Sequence, residues 1–279
     1  MTSKSKDLPA SLALPVPQRS PKTMSNAWRV RLKGLALPVL IVIVLEFVVR
    51  IGWLPSYQMP APSDIALTLR DLAEGALWKH ISASVLLGFA IGAGLALVFA
   101  AWVGLSREAE TWLEPTFAGL RSIPSLAWVP LLLLWLGIDE TSKIVLIAIG
   151  AFFPVYLNGV AAIRDIDRKL VEVGQMYGFS RLRLVRRILL PAALPGLFTG
   201  LRAGMSLAWM FLVAAELIAA TKGLGYLLSD GRETSRPDIV LAAIIVLALL
   251  GKISDGILAG LEKRFLAWRD TFNGQSAED

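Results

Sequence analysis

The sequence predicts an all-α polytopic membrane protein with six transmembrane helices. Hydrophobic residues make up 55% of the 279-residue chain, and uncharged runs cover 81–104, 122–138 and 144–163. A helix needs roughly 20 apolar residues to cross the ~30 Å hydrocarbon layer. Because backbone polar groups inside lipid must bond to one another, such runs are expected to span as helices.

We predict the spans, in order, at 34–54, 81–105, 117–136, 143–162, 196–221 and 239–261. The first run lies far from the N-terminus and no cleavage site follows it, so we interpret it as an uncleaved anchor. Pro124 and Pro130 interrupt the third span, and Pro154 interrupts the fourth. Proline removes a backbone donor and kinks a helix, although neighbouring helices in a bundle can repair the loss.

Charge predicts the orientation of these spans. With the N-terminus inside, the N-terminal tail and the loop after the fourth span each carry seven Lys or Arg residues. The three opposite loops together carry six. The positive-inside rule therefore predicts that both termini are cytoplasmic. The same asymmetry accounts for the net charge of +6, so no nucleic-acid partner is needed to explain it.

The sequence divides into three predicted regions. Residues 1–25 are rich in Ser, Pro and Lys and predict a disordered cytoplasmic tail. Residues 26–270 form the predicted transmembrane domain, and 271–279 form a short cytoplasmic tail.

Composition also excludes several classes of function. The chain has no cysteine and one histidine, His80, which makes it a poor candidate for a haem, copper or zinc enzyme. It has no G-x4-G-K-[ST] phosphate loop, so we expect no ATP site in this chain. The charges inside the spans are scattered and lack the convergent cluster that a membrane enzyme would need. We therefore predict no catalytic residues, no metal and no cofactor.

The loop between the fourth and fifth spans, about 164–191, carries the most specific signal. Asp165 or Asp167 can cap a short helix, and Gly178 can end that helix in the left-handed conformation. Ser180 can then cap a second, basic helix that leads to Pro191 and the membrane. A helix, a glycine turn and a second helix can dock into a groove on a soluble partner and transmit its movement.

The spacing in this loop resembles the EAA loop, E-A-A-x3-G-x9-I-x-L-P, of ABC-importer permeases. Glu172 is followed six residues later by Gly178, and nine further residues lead to Ile188. Two positions depart, since Val173 and Gly174 replace the two alanines. The resemblance implies that five residues couple to an ATPase: Glu172, Val173, Gly174, Tyr177 and Gly178. The loop-to-membrane motif comprises Ile188, Leu190 and Pro191.

Longer stretches, such as LRSIPSLAWVPLLLLWLGIDETSKI and LVAAELIAATKGLGYLL, resemble the aliphatic sulfonate, taurine and nitrate branch of the binding-protein-dependent permeases. The resemblance is nearest to its sulfonate members. It implies a type I ABC-importer permease bundle that works as a pair, with two ABC ATPase subunits and an extracytoplasmic substrate-binding protein. ATP would be bound by the partner ATPase. The alternatives are a same-branch permease for taurine, nitrate or another small solute, and an ATP-independent secondary transporter or channel.

Charges inside spans are costly, and they are usually paired or functional. Glu46 and Arg50 are spaced i,i+4 in the first span, and Lys252 and Asp255 are spaced i,i+3 in the sixth. Because such spacing places both members on one helix face, we expect each pair to neutralise itself.

Two further charges lie in the fifth span. Arg202 and Glu216 are fourteen residues apart, which separates them by roughly 21 Å along the axis and rules out a direct pair. We expect Arg202 to reach toward the inner interface. For Glu216, a translocation role is one hypothesis, and a packing role with a hydrogen bond to another helix is the alternative.

Glycines repeat every four residues in three spans: Gly88 with Gly92; Gly196 with Gly200 and Gly204; Gly256 with Gly260. Small residues at this spacing let helices approach closely, so we expect close packing at these positions. Packing inside one bundle is favoured over a seam between two copies.

Overall fold

The computed structural model describes residues 37, 39–55, 58–74 and 77–268, and all regular structure in these ranges is helical. The first helix, α1, covers 39–50. The others are α2 Pro62–Glu74, α3 Leu77–Leu105, α4 Arg107–Ser122, α5 Trp128–Leu136, α6 Glu140–Arg164, α7 Arg168–Met176, α8 Arg181–Leu184, α9 Leu190–Ala219, α10 Leu224–Glu233 and α11 Pro237–Phe265.

Four helices in the described ranges are long and apolar enough to cross a membrane. They cover 83–105, 140–164, 181–218 and 237–265, with mean hydropathies of 2.3, 2.1, 1.5 and 2.1. They confirm the second, fourth, fifth and sixth predicted spans. The start of the first predicted span and the two predicted tails, 1–25 and 271–279, lie outside the described residues. Large apolar side chains such as Leu86, Leu249 and Ile253 are more than half exposed on the outer helix surfaces, as contact with lipid requires.

The third predicted span is divided in two, which goes further than the predicted kink. Helix α4 ends at Ser122, and Ile123 is extended, with φ −76° and ψ 124°. The residue before a proline is disfavoured in the α region, so Pro124 forces this break. Helix α5 has nine residues and measures about 14 Å, which is too short to cross the bilayer alone.

Helix α6 is the centre of the bundle, between α3 and α9. An ideal Cβ atom on Gly88 would lie 2.8 Å from the Ile147 Cβ, and one on Gly204 would lie 2.8 Å from the Val155 Cγ2. The glycine repeats in α3 and α9 therefore allow both helices to touch α6, which confirms close packing within one bundle. The repeat in α11 differs, because nothing lies within 4 Å of the corresponding position at Gly256 or Gly260.

Helix α4 packs against the bundle through aromatic rings. The Phe117 ring packs 4.8 Å from the Tyr156 ring of α6 and 5.5 Å from the Phe99 ring of α3, measured between centroids. At the end of the bundle nearest α7, Arg164 forms a 2.8 Å ion pair with Glu110. These contacts hold α4 against both α3 and α6 near the start of the loop to α7.

Candidate functional site

The segment that joins α6 to α9, residues 165–191, folds as a helix, a glycine turn and a second helix. The Asp167 carboxylate accepts a 2.9 Å hydrogen bond from the Lys169 backbone N–H and caps α7, so Asp167 is the cap of the two predicted candidates. Gly178 ends the helix with φ +68°, as predicted. The Phe179 N–H then donates to the Gly174 carbonyl at 3.1 Å. We refer to residues 165–191 as the connecting segment.

The second helix of the connecting segment continues into the membrane without interruption. Ser180 occupies the position before α8, where its carbonyl accepts a 2.9 Å bond from the Leu184 N–H, but its side chain forms no capping bond. Helix α8, a wide turn at Val185–Leu189 and α9 form one rod, apolar enough to span over 181–218. The second helix of the connecting segment and the fifth span therefore belong to the same rod.

The wide turn lies at the predicted loop-to-membrane motif. Within it the Leu190 N–H bonds to the Val185 carbonyl, five residues back, which is the pattern of a π-turn. In an ordinary α-helix the ring of Pro191 would clash with the carbonyl of Arg187 and leave it without a donor. The wider turn accommodates that proline while the rod stays continuous. Ile188 is half-buried in this turn.

Gly174 is where the two helices of the connecting segment touch. It is the buried residue of α7, and an ideal Cβ there would lie 2.5 Å from the Ile188 Cδ1 and 3.3 Å from a Leu184 Cδ1. The glycine thus lets α7 lie directly on the rod. Val173, in the other departing position, faces outward and is 47% exposed.

The outer surface of α7 carries exposed apolar side chains among its polar ones. Met176 and Tyr177 are 86% and 77% exposed, and Leu170 is 47% exposed. Glu172 lies exposed on the same short helix. We name Leu170, Val173, Met176 and Tyr177 the apex. Contiguous exposed apolar side chains rimmed by polar ones mark a surface that contacts another molecule.

The intramembrane pairs differ in part from the prediction. Glu46 and Arg50 form the expected ion pair at 2.9 Å. The expected pair of Lys252 with Asp255 is wrong, because Asp255 accepts two hydrogen bonds from Arg202, at 2.7 and 3.0 Å. Arg202 also contacts Glu262 at 3.3 Å. Both acids lie on α11, so Arg202 ties the middle of α9 to the C-terminal half of α11.

Glu216 is buried, with 2% of its side chain exposed, and it bonds to another helix. Its carboxylate accepts a 2.8 Å hydrogen bond from the Gly225 N–H in the first turn of α10 and lies 3.8 Å from the Lys143 Nζ. A carboxylate at a helix N-terminus bonds free N–H groups and stabilises the helix dipole. Glu216 therefore caps α10 from the end of α9.

Sequence reasoning missed the neighbours of Glu216. Lys143 lies 3.3 Å from Glu140, whose other oxygen accepts a 2.8 Å bond from the Ser84 hydroxyl. The resulting polar chain joins α3, α6, α9 and α10. Its one sequence signal was the i,i+3 spacing of Glu140 and Lys143 at the start of a span. In the described residues, no group of three or more acidic, histidine or cysteine side chains is placed to hold a metal ion.

The apolar spans and the connecting segment define a multi-pass membrane permease. The chain belongs to the family described as binding-protein-dependent transport system inner membrane component, whose sequence profile matches residues 88–267. It is therefore an inner-membrane permease subunit of an ABC importer.

Two curated relatives match over nearly their whole length, and a third matches over four fifths of its length. The chain is 41% identical over 259 residues to the aliphatic sulfonates transport permease protein SsuC of Escherichia coli K12, covering 91% of the chain and 98% of that protein. It is 39% identical over 266 residues to the protein of the same name from Bacillus subtilis 168, covering 91% and 96%. The taurine transport system permease protein TauC of E. coli K12 is 35% identical over 225 residues, covering 75% and 80%.

A solved structure agrees on the fold. The chain resembles the inward-facing MetNI methionine ABC transporter with a TM-score of 0.52, at 22% sequence identity. The match covers 66% of this chain and 93% of the solved one.

Proposed function

We propose that this chain forms the pathway through which aliphatic sulfonates enter the cell, switched by ATPase subunits that grip the connecting segment. The observation that carries the proposal is the apex, an exposed apolar surface on a helix packed directly onto a continuous transmembrane rod. The two SsuC relatives, matched over 96% and 98% of their lengths, support the choice of solute.

The geometry supports a lever mechanism. Gly174 packs α7 against the side chains of Leu184 and Ile188, so force on the apex passes to the rod rather than bending a loose loop. The rod in turn touches α6 through Gly200 and Gly204, and α6 touches α3. Closure of the ATPase subunits on ATP would therefore tilt α9, α6 and α3 together. Packed interfaces switch between discrete arrangements, which suits alternating access.

The proposed assembly has four further components. Two ATPase subunits bind ATP on the cytoplasmic side, where both termini of this chain also lie. A second copy of this permease completes the pathway. An extracytoplasmic binding protein delivers the solute. We assign no catalytic residue to this chain.

Site-specific cross-linking tests the proposed contact. The chain has no cysteine, so Tyr177→Cys introduces a single thiol at the apex. We expect it to cross-link to the co-expressed ATPase subunit, with a yield that changes when ATP is added. Trp53→Cys is the matched control, because Trp53 is 86% exposed and lies at the end of the first span predicted to be extracytoplasmic. Equal cross-linking at both positions, or labelling of Tyr177→Cys from outside the cell, would refute the proposal.

The solute is tested separately. The reconstituted importer should hydrolyse ATP faster with a binding protein loaded with a short alkanesulfonate than with the same protein unloaded. Stimulation by nitrate alone would leave the ATPase contact standing and refute the sulfonate assignment. Stimulation by taurine but not by an unsubstituted alkanesulfonate would instead favour the taurine permease alternative.

A further inference from the structure

An apolar groove opens at the membrane boundary beside the π-turn. It lies between the last turns of α3, the end of α6 and the α8–α9 rod, and it encloses about 180 Å³. Nine residues line it, all of them Leu, Ile, Val or Ala: Leu97, Ala101, Leu105, Ile163, Val185, Leu189, Leu190, Ala193 and Leu197.

The groove has the length of one leaflet. Its lining runs from Leu105, the last residue of α3, to Leu97, which is about 12 Å along the helix axis. On the rod it runs from Val185 to Leu197, about 18 Å. Half of the ~30 Å hydrocarbon layer is about 15 Å, so the groove reaches from the interface toward the bilayer centre.

The lining also limits what can fill the groove. A non-helical peptide segment would bring backbone N–H and C=O groups that need partners, and this apolar lining supplies none from its side chains. An acyl chain has no such groups, and it buries only apolar surface.

Exposed arginines adjoin the end of the groove that Leu105 and Val185 form. Arg186 is exposed and lies on the rod between Val185 and Leu189, both of which line the groove. Arg107, also exposed, begins α4 two residues beyond the lining residue Leu105.

The arginines near the groove differ in whether they form an ion pair with a carboxylate. The first seven residues of the rod, 181–187, include four arginines: Arg181, Arg183, Arg186 and Arg187. Among the residues that the structure describes, no carboxylate lies within 4.0 Å of any of these four guanidinium groups. Two of them, Arg183 and Arg187, instead lie 5.9 Å from the centroid of the Phe179 ring. By contrast Arg164, at the end of the neighbouring α6, is paired with Glu110.

We infer that the groove is a binding site for an anionic phospholipid, with one acyl chain in the groove and the phosphate beside Arg186 and Arg107. Clusters of basic residues next to a transmembrane helix attract anionic headgroups, and here such a cluster adjoins an apolar groove. The site lies where the rod passes from the connecting segment into the fifth span. A bound lipid would therefore contact the rod at the point where the proposed lever acts on it. The inference depends on membrane insertion and not on the transported solute.

Native mass spectrometry of the full-length permease tests the inference. The purified chain is titrated with phosphatidylglycerol or with phosphatidylcholine of the same acyl chains. We expect phosphatidylglycerol to bind more tightly, and Arg186→Gln or Arg107→Gln to weaken it by about fivefold each. Arg232→Gln, which removes an exposed arginine beyond the other end of α9, is the matched charge control and should bind as the wild type does.

A second variant tests the groove apart from the charge. Ala101→Phe fills the slot and should lower retention of phosphatidylglycerol while leaving every arginine in place. Arg186→Lys should retain most of the binding, and each variant is first shown to be folded by size exclusion and circular dichroism. The inference is overturned if Arg186→Gln and Arg107→Gln bind phosphatidylglycerol as the wild type does, or if Ala101→Phe has no effect.

Discussion

Replacing Gly92 with alanine should lower the free energy of unfolding, because the added methyl group forces α3 away from α6. An ideal Cβ on Gly92 would lie 2.8 Å from both the carbonyl carbon and the Cα of Ala148, and closer still to the Ala148 carbonyl oxygen. These are backbone atoms of α6, so no side-chain rotation can relieve the contact. Two residues further on, an ideal Cβ on Gly94 would meet nothing within 4 Å. Gly94→Ala is therefore a matched control on the same helix.

The size of the effect follows from that distance. Carbon atoms are most stable about 3.5 to 4.0 Å apart, so α3 must move away from α6 by about 1 Å at this point. Overpacking of this kind costs about 1–3 kcal/mol. We expect a value near the upper end, because Gly88 packs on α6 one turn away and would lose contact as well. Gly94→Ala should be neutral or stabilise the helix by up to about 1 kcal/mol.

The measurement is reversible unfolding in mixed micelles, titrated with sodium dodecyl sulfate and followed by tryptophan fluorescence, since the chain contains nine tryptophans. The free energies of unfolding of Gly92→Ala and Gly94→Ala are compared with that of the wild type. Equal values for the two variants would refute the close contact between α3 and α6.

Three other changes test the remaining contacts. Gly178→Ala places a side chain at φ +68° and should destabilise the turn by about 1–2 kcal/mol. We expect lower ATP-driven transport at a normal level of the protein in the membrane, and unchanged transport would contradict a role for the turn. Glu216→Gln removes the charge beside Lys143 but keeps an acceptor for the Gly225 N–H of α10, so we expect a lower melting temperature and transport reduced only in proportion to the amount of folded protein. A larger loss of transport would favour a translocation role for Glu216. Asp255→Arg should impair assembly, and combining it with Arg202→Asp should partly restore it, as measured by expression and monodispersity; no restoration would argue against the pair.

Patterns within one segment of chain were readable from the sequence. Gly178 was recognised as a left-handed helix end because few residues other than glycine adopt that conformation without strain. Pro124 was recognised as an interruption because its ring acts on its immediate neighbours. The glycine repeats in α3 and α9 likewise predicted close approach, though not which helix approaches. In each case the physical cause lies within a few residues of its effect.

The departure at Gly174 shows the limit of such reasoning. Its spacing identified the position, and helix propensity alone marked it as slightly unfavourable. Its contact with Ile188 and Leu184 depends on how two helices cross after a turn. The π-turn before Pro191 is a similar case. The proline by itself is compatible with a break in the helix or with a wider turn, and the tertiary fold decides which of the two forms.

The sequence by itself determined the class of protein, four of its apolar spans and the helix-turn-helix shape of the connecting segment, because hydrophobicity, proline and glycine act locally. Only the tertiary structure decided the partners of the buried charges. Asp255 could neutralise Lys252 on its own helix or Arg202 on another, and packing brought Arg202 to 2.7 Å. Glu216 could have faced a pathway, and packing placed the start of α10 against it. A carboxylate pairs with whichever donor the helix crossing brings within reach, and a crossing depends on residues far apart in the chain.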